Sequence, residues 1–111
     1  MQLTDLEPAE RLALVALSRH VARADGKVSP TEGRAIARIA SDLGEQTYRQ
    51  LFARAIEEFP DEMTLQLFLE GIQRQEARAL IFHTILQVAA VDSISQEEGP
   101  LLAWREEAWS I

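Results

Sequence analysis

The 111-residue sequence has no cysteine, few aromatic residues and no long apolar run. The absence of cysteine excludes disulfide bonds, thiolate zinc sites and redox chemistry at cysteine. A transmembrane helix needs about 18 or more consecutive apolar residues, and the sequence contains no such stretch. Its first residues also lack the positive region and apolar run of a signal peptide. We therefore expect a soluble, cytoplasmic protein with no direct membrane insertion.

Positive charge is scarce as well. Eighteen acidic residues against eleven basic ones give a net charge of −7, and residues 61–111 carry nine acidic residues but only three basic ones. This balance disfavours contact with a nucleic acid backbone or with anionic lipid, and it favours metal cations or basic partners. We therefore expect no nucleic acid partner.

The remaining composition is typical of helices. Apolar residues make up 47% of the chain, which is enough for one ordinary core. Ala, Leu, Glu, Gln and Arg dominate, and the apolar residues recur at spacings of three and four. These features predict an all-α fold, a compact bundle of about six to seven helices that forms a single domain over residues 1–111.

Local signals predict where the helices begin and end. The predicted segments are Pro8 to Ala24, Pro30 to Leu43, Gln46 to Glu58, a helix capped by Asp61, Glu76 to Val91, and a last segment that begins at Ser95 or Gly99 and reaches Trp109. Gly44 is predicted to end the second helix with a positive φ, and a short interruption is predicted near Gln73. The segment 76–91 is apolar around most of its circumference, which predicts a central helix.

The third predicted helix is expected to turn Leu51, Phe52, Ala55 and Ile56 toward the core. The fourth predicted helix holds Met63, Leu65, Leu67, Phe68, Leu69 and Ile72.

The chain contains two similar helix-loop-helix units. An offset of 67 places Leu14, Val21 and Asp25 on Ile81, Val88 and Asp92, and after the loop an offset of 66 places Ser29, Glu32 and Gly33 on Ser95, Glu98 and Gly99. Each unit therefore reads as an apolar helix, an aspartate, a short turn and Ser-x-x-Glu-Gly. A duplicated unit usually packs about a pseudo-twofold axis, and such packing would bring the two loops together.

The first loop resembles the second half of a calcium loop, but Val21 and Arg23 occupy the first and third ligand positions, so a complete EF-hand is excluded. The acidic residues of the two loops form an oxygen-rich cation site if the loops meet. They are Asp25, Glu32, Asp92, Glu97 and Glu98. In the alternative, they act only structurally: Glu32 and Glu98 complete capping boxes, and the aspartates stabilise their own turns.

No catalytic constellation is present. The two histidines, His20 and His83, do not correspond to each other in the repeat, and no catalytic triad with a glycine elbow, His-Glu-x-x-His motif or phosphate loop occurs. We therefore expect a protein that is not an enzyme. The alternative to a metal-binding module is a metal-independent module that docks a protein partner through its acidic surface and its segment Trp104 to Trp109. Tryptophans near a chain end can equally close the core.

The string Ala24-Asp25-Gly26-Lys27-Val28-Ser29-Pro30-Thr31-Glu32, repeated in weaker form from Val91 to Glu98, resembles the TerB-like (tellurite resistance protein B) family over nearly the whole chain. The resemblance implies a compact, internally duplicated helical bundle from bacterial systems linked to tellurite resistance and stress responses. It further implies a divalent metal cation bound through acidic residues, here Asp25, Glu32, Asp92 and Glu98. It also implies a protein partner that is associated with the membrane.

Overall fold

The computed structural model describes residues 2–23, 30–90 and 109, with the backbone alone at residues 22, 23, 31, 32, 89 and 90. These ranges contain a 3₁₀ turn, five α-helices and no strand, which confirms the prediction of an all-α fold. The elements are the turn Leu3–Asp5, α1 (Pro8–Arg23), α2 (Pro30–Leu43), α3 (Glu45–Glu58), α4 (Glu62–Leu69) and α5 (Gln75–Ala90). Apart from Trp109, the last predicted helix lies outside the described residues.

The helix boundaries follow the local signals in the sequence. Pro30 is the first residue of α2, where its fixed φ fits a helical start. Gly44 separates α2 from α3 with a φ of 95°, a conformation that glycine adopts without steric cost. Asp61 precedes α4, and its side chain accepts a 2.8 Å hydrogen bond from the Thr64 amide. The interruption predicted near Gln73 separates α4 from α5.

The central helix is α1. Seven consecutive residues, 12–18, are fully buried, and α1 contacts α3, α4 and α5. The small residues Ala13, Ala16 and Ser18 allow these neighbours to approach from several sides. The prediction that α5 is the central helix is wrong, because α5 exposes His83 and Gln87 on one side.

Among the residues that the structure describes, three large apolar residues are exposed. Ile56 is 46% exposed, so its predicted burial is wrong, and Met63 and Leu67 on α4 are 72% and 69% exposed. The short helix α4 packs against α1 and buries the stripe that contains Leu65 and Leu69. One face of a helix buries only one apolar stripe, so the other apolar residues of α4 lie outside the stripe that contacts the core.

The internal repeat is preserved in the pattern of burial. The buried residues of α5 are Ala77, Ile81, Phe82, Ile85 and Val88. An offset of 67 places them on Glu10, Leu14, Val15, Ser18 and Val21 of α1, and every one of these is buried too. The two equivalent helices also contact each other. The repeat therefore corresponds to a packing relationship between α1 and α5.

Candidate functional site

The four predicted metal ligands lie at the edge of the described structure or beyond it. Asp25, Asp92 and Glu98 are outside the described residues, and the backbone alone places Glu32 in the first turn of α2. Asp25 follows the last residue of α1 by two positions, and Asp92 follows the last residue of α5 by two positions. Over residues 2–23, 30–90 and 109, no group of three or more His, Asp and Glu side chains could hold a metal ion. The site stays a prediction.

A partly buried ion pair joins the N-terminal ends of α1 and α5. Glu10, in the first turn of α1, is only 3% exposed, and Arg74 directly precedes α5. The Arg74 Nε donates to Glu10 Oε2 at 2.8 Å, and the Arg74 Nη2 donates to Glu10 Oε1 at 2.6 Å. Glu10 Oε1 also accepts a 2.7 Å hydrogen bond from the Glu7 amide at the start of α1. Consequently α1 and α5 begin at the same end of the bundle.

Electrostatics keep this pair ionised. The hydrogen bond from Arg74 lowers the pKa of Glu10 below its ordinary value and outweighs the opposite effect of burial. The same bond raises the pKa of Arg74. The sequence shows Glu10 only as an acidic residue near the predicted start of the first helix. It carries no local signal for the pair, because 64 residues separate the partners.

The N-terminal end of α4 lies near the C-terminal part of α1. The pKa of Asp61 is lowered, mainly by the hydrogen bond from the Thr64 amide, with smaller contributions from the Thr64 hydroxyl and the nearby charge of His20. His20 lies one turn before the end of α1 and is half-buried. This charge effect places His20 near the N-terminal cap of α4.

A cavity of about 750 Å³ lies between the N-terminal turn, α2 and α5. Leu3, Ile39 and Leu80 contribute apolar lining, and Arg38 and Asp42 add charged groups one turn apart on α2. The volume lies in the range of small-molecule sites. Two hydroxyl groups also line it, those of Thr4 and Thr84, and the Thr84 hydroxyl donates to the Leu80 carbonyl at 2.7 Å. The helical periodicity of the sequence did not predict this cavity.

The comparison with protein families decides the assignment. The family model for the tellurite resistance protein TerB matches residues 11–103, which include α2 to α5, α1 from its fourth residue onward, and both acidic loops. This chain belongs to the TerB family. The match confirms the resemblance carried by the two Asp-loop-Glu motifs, and TerB domains are generally non-enzymatic modules. Searches of the curated proteins and of the solved structures each gave no match.

Trp109 of the TerB chain lies in the core. Its side chain is fully buried, and its Nε1 donates a 3.3 Å hydrogen bond to the Leu69 carbonyl. The Gln75 side chain donates in turn to the Trp109 carbonyl at 3.5 Å. Trp109 therefore closes the core between the end of α4 and the start of α5, and it is no part of an exposed docking surface. Trp104 lies outside the described residues.

Of the TerB helices that the structure describes, none has the length and apolar character needed to cross a membrane.

Proposed function

We propose that this TerB-family chain is a non-enzymatic module that binds a divalent cation through the carboxylates of Asp25, Glu32, Asp92 and Glu98. We place this activity in the cytoplasm, in a tellurite, metal or envelope stress response, alongside a membrane-associated protein partner. The role and the location rest on the family. The cation site rests on the family together with the packing of α1 against α5.

One observation carries the proposal, namely the ion pair between Glu10 and Arg74, which brings the starts of α1 and α5 together. Each helix has 16 residues, a length of about 24 Å, and the two contact each other. Helices of equal length that begin side by side and pack together carry their C-terminal ends toward the same end of the bundle. Asp25 and Asp92 each follow such an end by two residues.

The chemistry of the donor set fits a hard cation. Four carboxylates are the oxygen ligands that calcium, magnesium and manganese prefer. Glu32 lies in the first turn of α2, directly after the first loop, and Glu98 is its equivalent in the repeat. When bound, the cation neutralises part of the −7 charge and ties the two loops together. The carboxylates hold it, and the packed helices α1 and α5 set the distance between the loops.

Calorimetric titration of the chelator-treated chain with calcium, magnesium, manganese and zinc tests the proposal. Moderate salt screens the diffuse attraction of cations to an acidic surface. We expect saturable binding of about one ion per chain, with loss of binding in the double variant Asp25→Asn/Asp92→Asn. Circular dichroism verifies that helical content is unchanged.

The matched control is the double variant Glu45→Gln/Glu57→Gln, which removes the same charge from exposed positions of α3. Binding that survives this control but not the loop variant supports a specific site. Weak, salt-sensitive binding that both double variants reduce equally would contradict the proposal. That result would favour the alternative in which the loop acids only cap helices and the chain is a metal-independent protein-interaction module.

A further inference from the structure

We propose that the exposed face of α4 docks a basic amphipathic helix of a partner protein. Met63 and Leu67 form the apolar centre of this face, and they are 72% and 69% exposed. The proposal is independent of the cation site, because it uses only residues of α4 and its surroundings.

The spacing of the two exposed residues suits the recognition of a helix. Met63 and Leu67 are four residues apart, so their side chains are neighbours on one face of α4. The opposite stripe of the same helix, with Leu65 and Leu69, is fully buried. Because the core already uses that stripe, the exposed pair is available to a partner. Apolar anchors at this spacing are typical of grooves and faces that bind amphipathic helices.

Acidic residues near this face of α4 favour a basic partner. From Ala55 to Gln73 the sequence contains five acidic residues and no lysine, arginine or histidine. The acidic residues are Glu57, Glu58, Asp61, Glu62 and Glu70; Glu58 pairs with Arg54 on α3, and His20 lies near Asp61, so the partner is attracted chiefly by the remaining carboxylates. Glu62 directly precedes Met63, and Glu70 follows Leu67 by three residues, so both ends of the apolar pair are acidic. A partner that carries lysine or arginine beside its apolar stripe is attracted, whereas anionic lipid and nucleic acid are repelled.

Gln66 adds a second unusual feature to α4. Gln66 is only 3% exposed, and neither its amide nitrogen nor its amide oxygen has a hydrogen-bond partner. Buried amides are almost always hydrogen-bonded. Gln66 lies three residues after Met63, which makes the two side chains neighbours on the helix. A rotation of the Gln66 side chain on docking would offer the partner both a donor and an acceptor beside the apolar pair.

Titration of the full chain with two synthetic helical peptides of about 18 residues tests the inference. One peptide contains leucine and lysine, and the other has the same leucine positions with glutamate in place of lysine. At moderate salt we expect saturable binding of the lysine peptide. NMR detects this binding as shifts of the Met63 and Leu67 methyl signals. We expect Leu67→Gln to weaken this binding about tenfold. The double variant Asp25→Asn/Asp92→Asn should bind the peptide as the unmodified chain does.

The matched control is Ile56→Gln, which removes another exposed apolar side chain, on α3. We expect it to change the affinity by less than about twofold. Leu67→Gln alters an exposed position, so the core is untouched, and circular dichroism checks the fold. Equal binding by the Leu67→Gln variant, equal loss in both variants, or equal binding of the glutamate peptide would overturn the proposal. Saturable binding of anionic phospholipid vesicles at the same methyl signals would also overturn it, in favour of a membrane surface.

Discussion

Glu10 and Arg74 form a bidentate ion pair that joins the first turn of α1 to the residue before α5. The carboxylate is buried, and the guanidinium remains partly exposed. Because the two helices are the equivalent elements of the internal repeat, this pair holds the two halves of the chain together at their starts. The proposed cation site depends on that arrangement.

Substitution Glu10→Gln should lower the free energy of unfolding by about 1–2 kcal/mol at pH 7, because a charge-assisted hydrogen bond is replaced by a neutral one. The pKa of Glu10 is lower in the folded chain than its ordinary value of 4.5. The stabilisation is therefore fully present above the unfolded pKa and is lost as the pH falls through the folded pKa. Urea unfolding at pH 7 and at about pH 3 should show the difference between the two chains shrinking in acid.

A control for this effect is Glu58→Gln, which breaks the exposed 3.0 Å pair between Arg54 and Glu58 on α3. An exposed pair of this kind contributes about 0.5 kcal/mol or less. The inference that the Glu10–Arg74 pair stabilises the fold is wrong if Glu10→Gln lowers the free energy of unfolding no more than this control does. It is also wrong if the effect of Glu10→Gln does not depend on pH.

Substitution Gly44→Ala should destabilise the fold by about 1–2 kcal/mol, because Gly44 has a φ of 95° that alanine adopts only with strain. A Cβ atom at this position would make only an ordinary 3.8 Å contact with Thr47 Oγ1, so the cost lies in the backbone. Gly33, inside α2, has open space around a built Cβ. Gly33→Ala should therefore raise stability by about 0.5–1 kcal/mol. Thermal unfolding of both variants checks the opposite signs, and equal signs would contradict this account of Gly44.

Substitution Trp109→Ala should lower the free energy of unfolding by about 3–5 kcal/mol, since a fully buried aromatic side chain is removed from the core. Trp109→Phe should cost less, because it retains a ring and loses chiefly the hydrogen bond from Nε1 to the Leu69 carbonyl. Denaturant unfolding measures both. If the alanine variant is as stable as the unmodified chain but no longer binds a partner, Trp109 is instead a docking residue.

Substitution Gln66→Met should raise stability by about 1–2 kcal/mol, because it replaces an amide that is buried without hydrogen bonds by an apolar group of similar size. The control Gln50→Met alters an exposed glutamine of α3 and should change stability by about 0.5 kcal/mol or less. Chemical denaturation of both variants gives the comparison. A decrease in stability on Gln66→Met would mean that the buried amide has a role in the folded chain that the unpaired geometry does not show.

Those parts of the fold that depend on local chemistry could be predicted from the sequence. Proline at the first position of α2, glycine between α2 and α3, and an aspartate cap before α4 each act within a few residues, and the structure confirms all three. The face of each helix that meets the core is a tertiary property. The periodicity of α4 could not distinguish the buried Leu65 from the exposed Leu67, because both belong to one short apolar segment.

The candidate site could likewise be predicted only in part from the sequence. The repeated motif predicts which residues could bind a cation, and the family match covers all of them. Whether the two loops meet depends on how α1 packs against α5. The Glu10–Arg74 pair that bears on this packing could not be predicted from the sequence, because neither residue differs locally from an ordinary charged residue near the start of a helix.

Manganese-induced broadening of amide NMR signals tests the central claim, that one cation is shared by both acidic loops. We predict that substoichiometric manganese broadens the signals at the C-terminal ends of α1 and α5 together, at Val21 and Val88, and spares Glu10 and Ala77 at their starts. Asp25→Asn/Asp92→Asn should abolish the effect. Broadening confined to one of the two helices, or broadening as strong at Glu10 and Ala77 as at Val21 and Val88, would contradict a shared site.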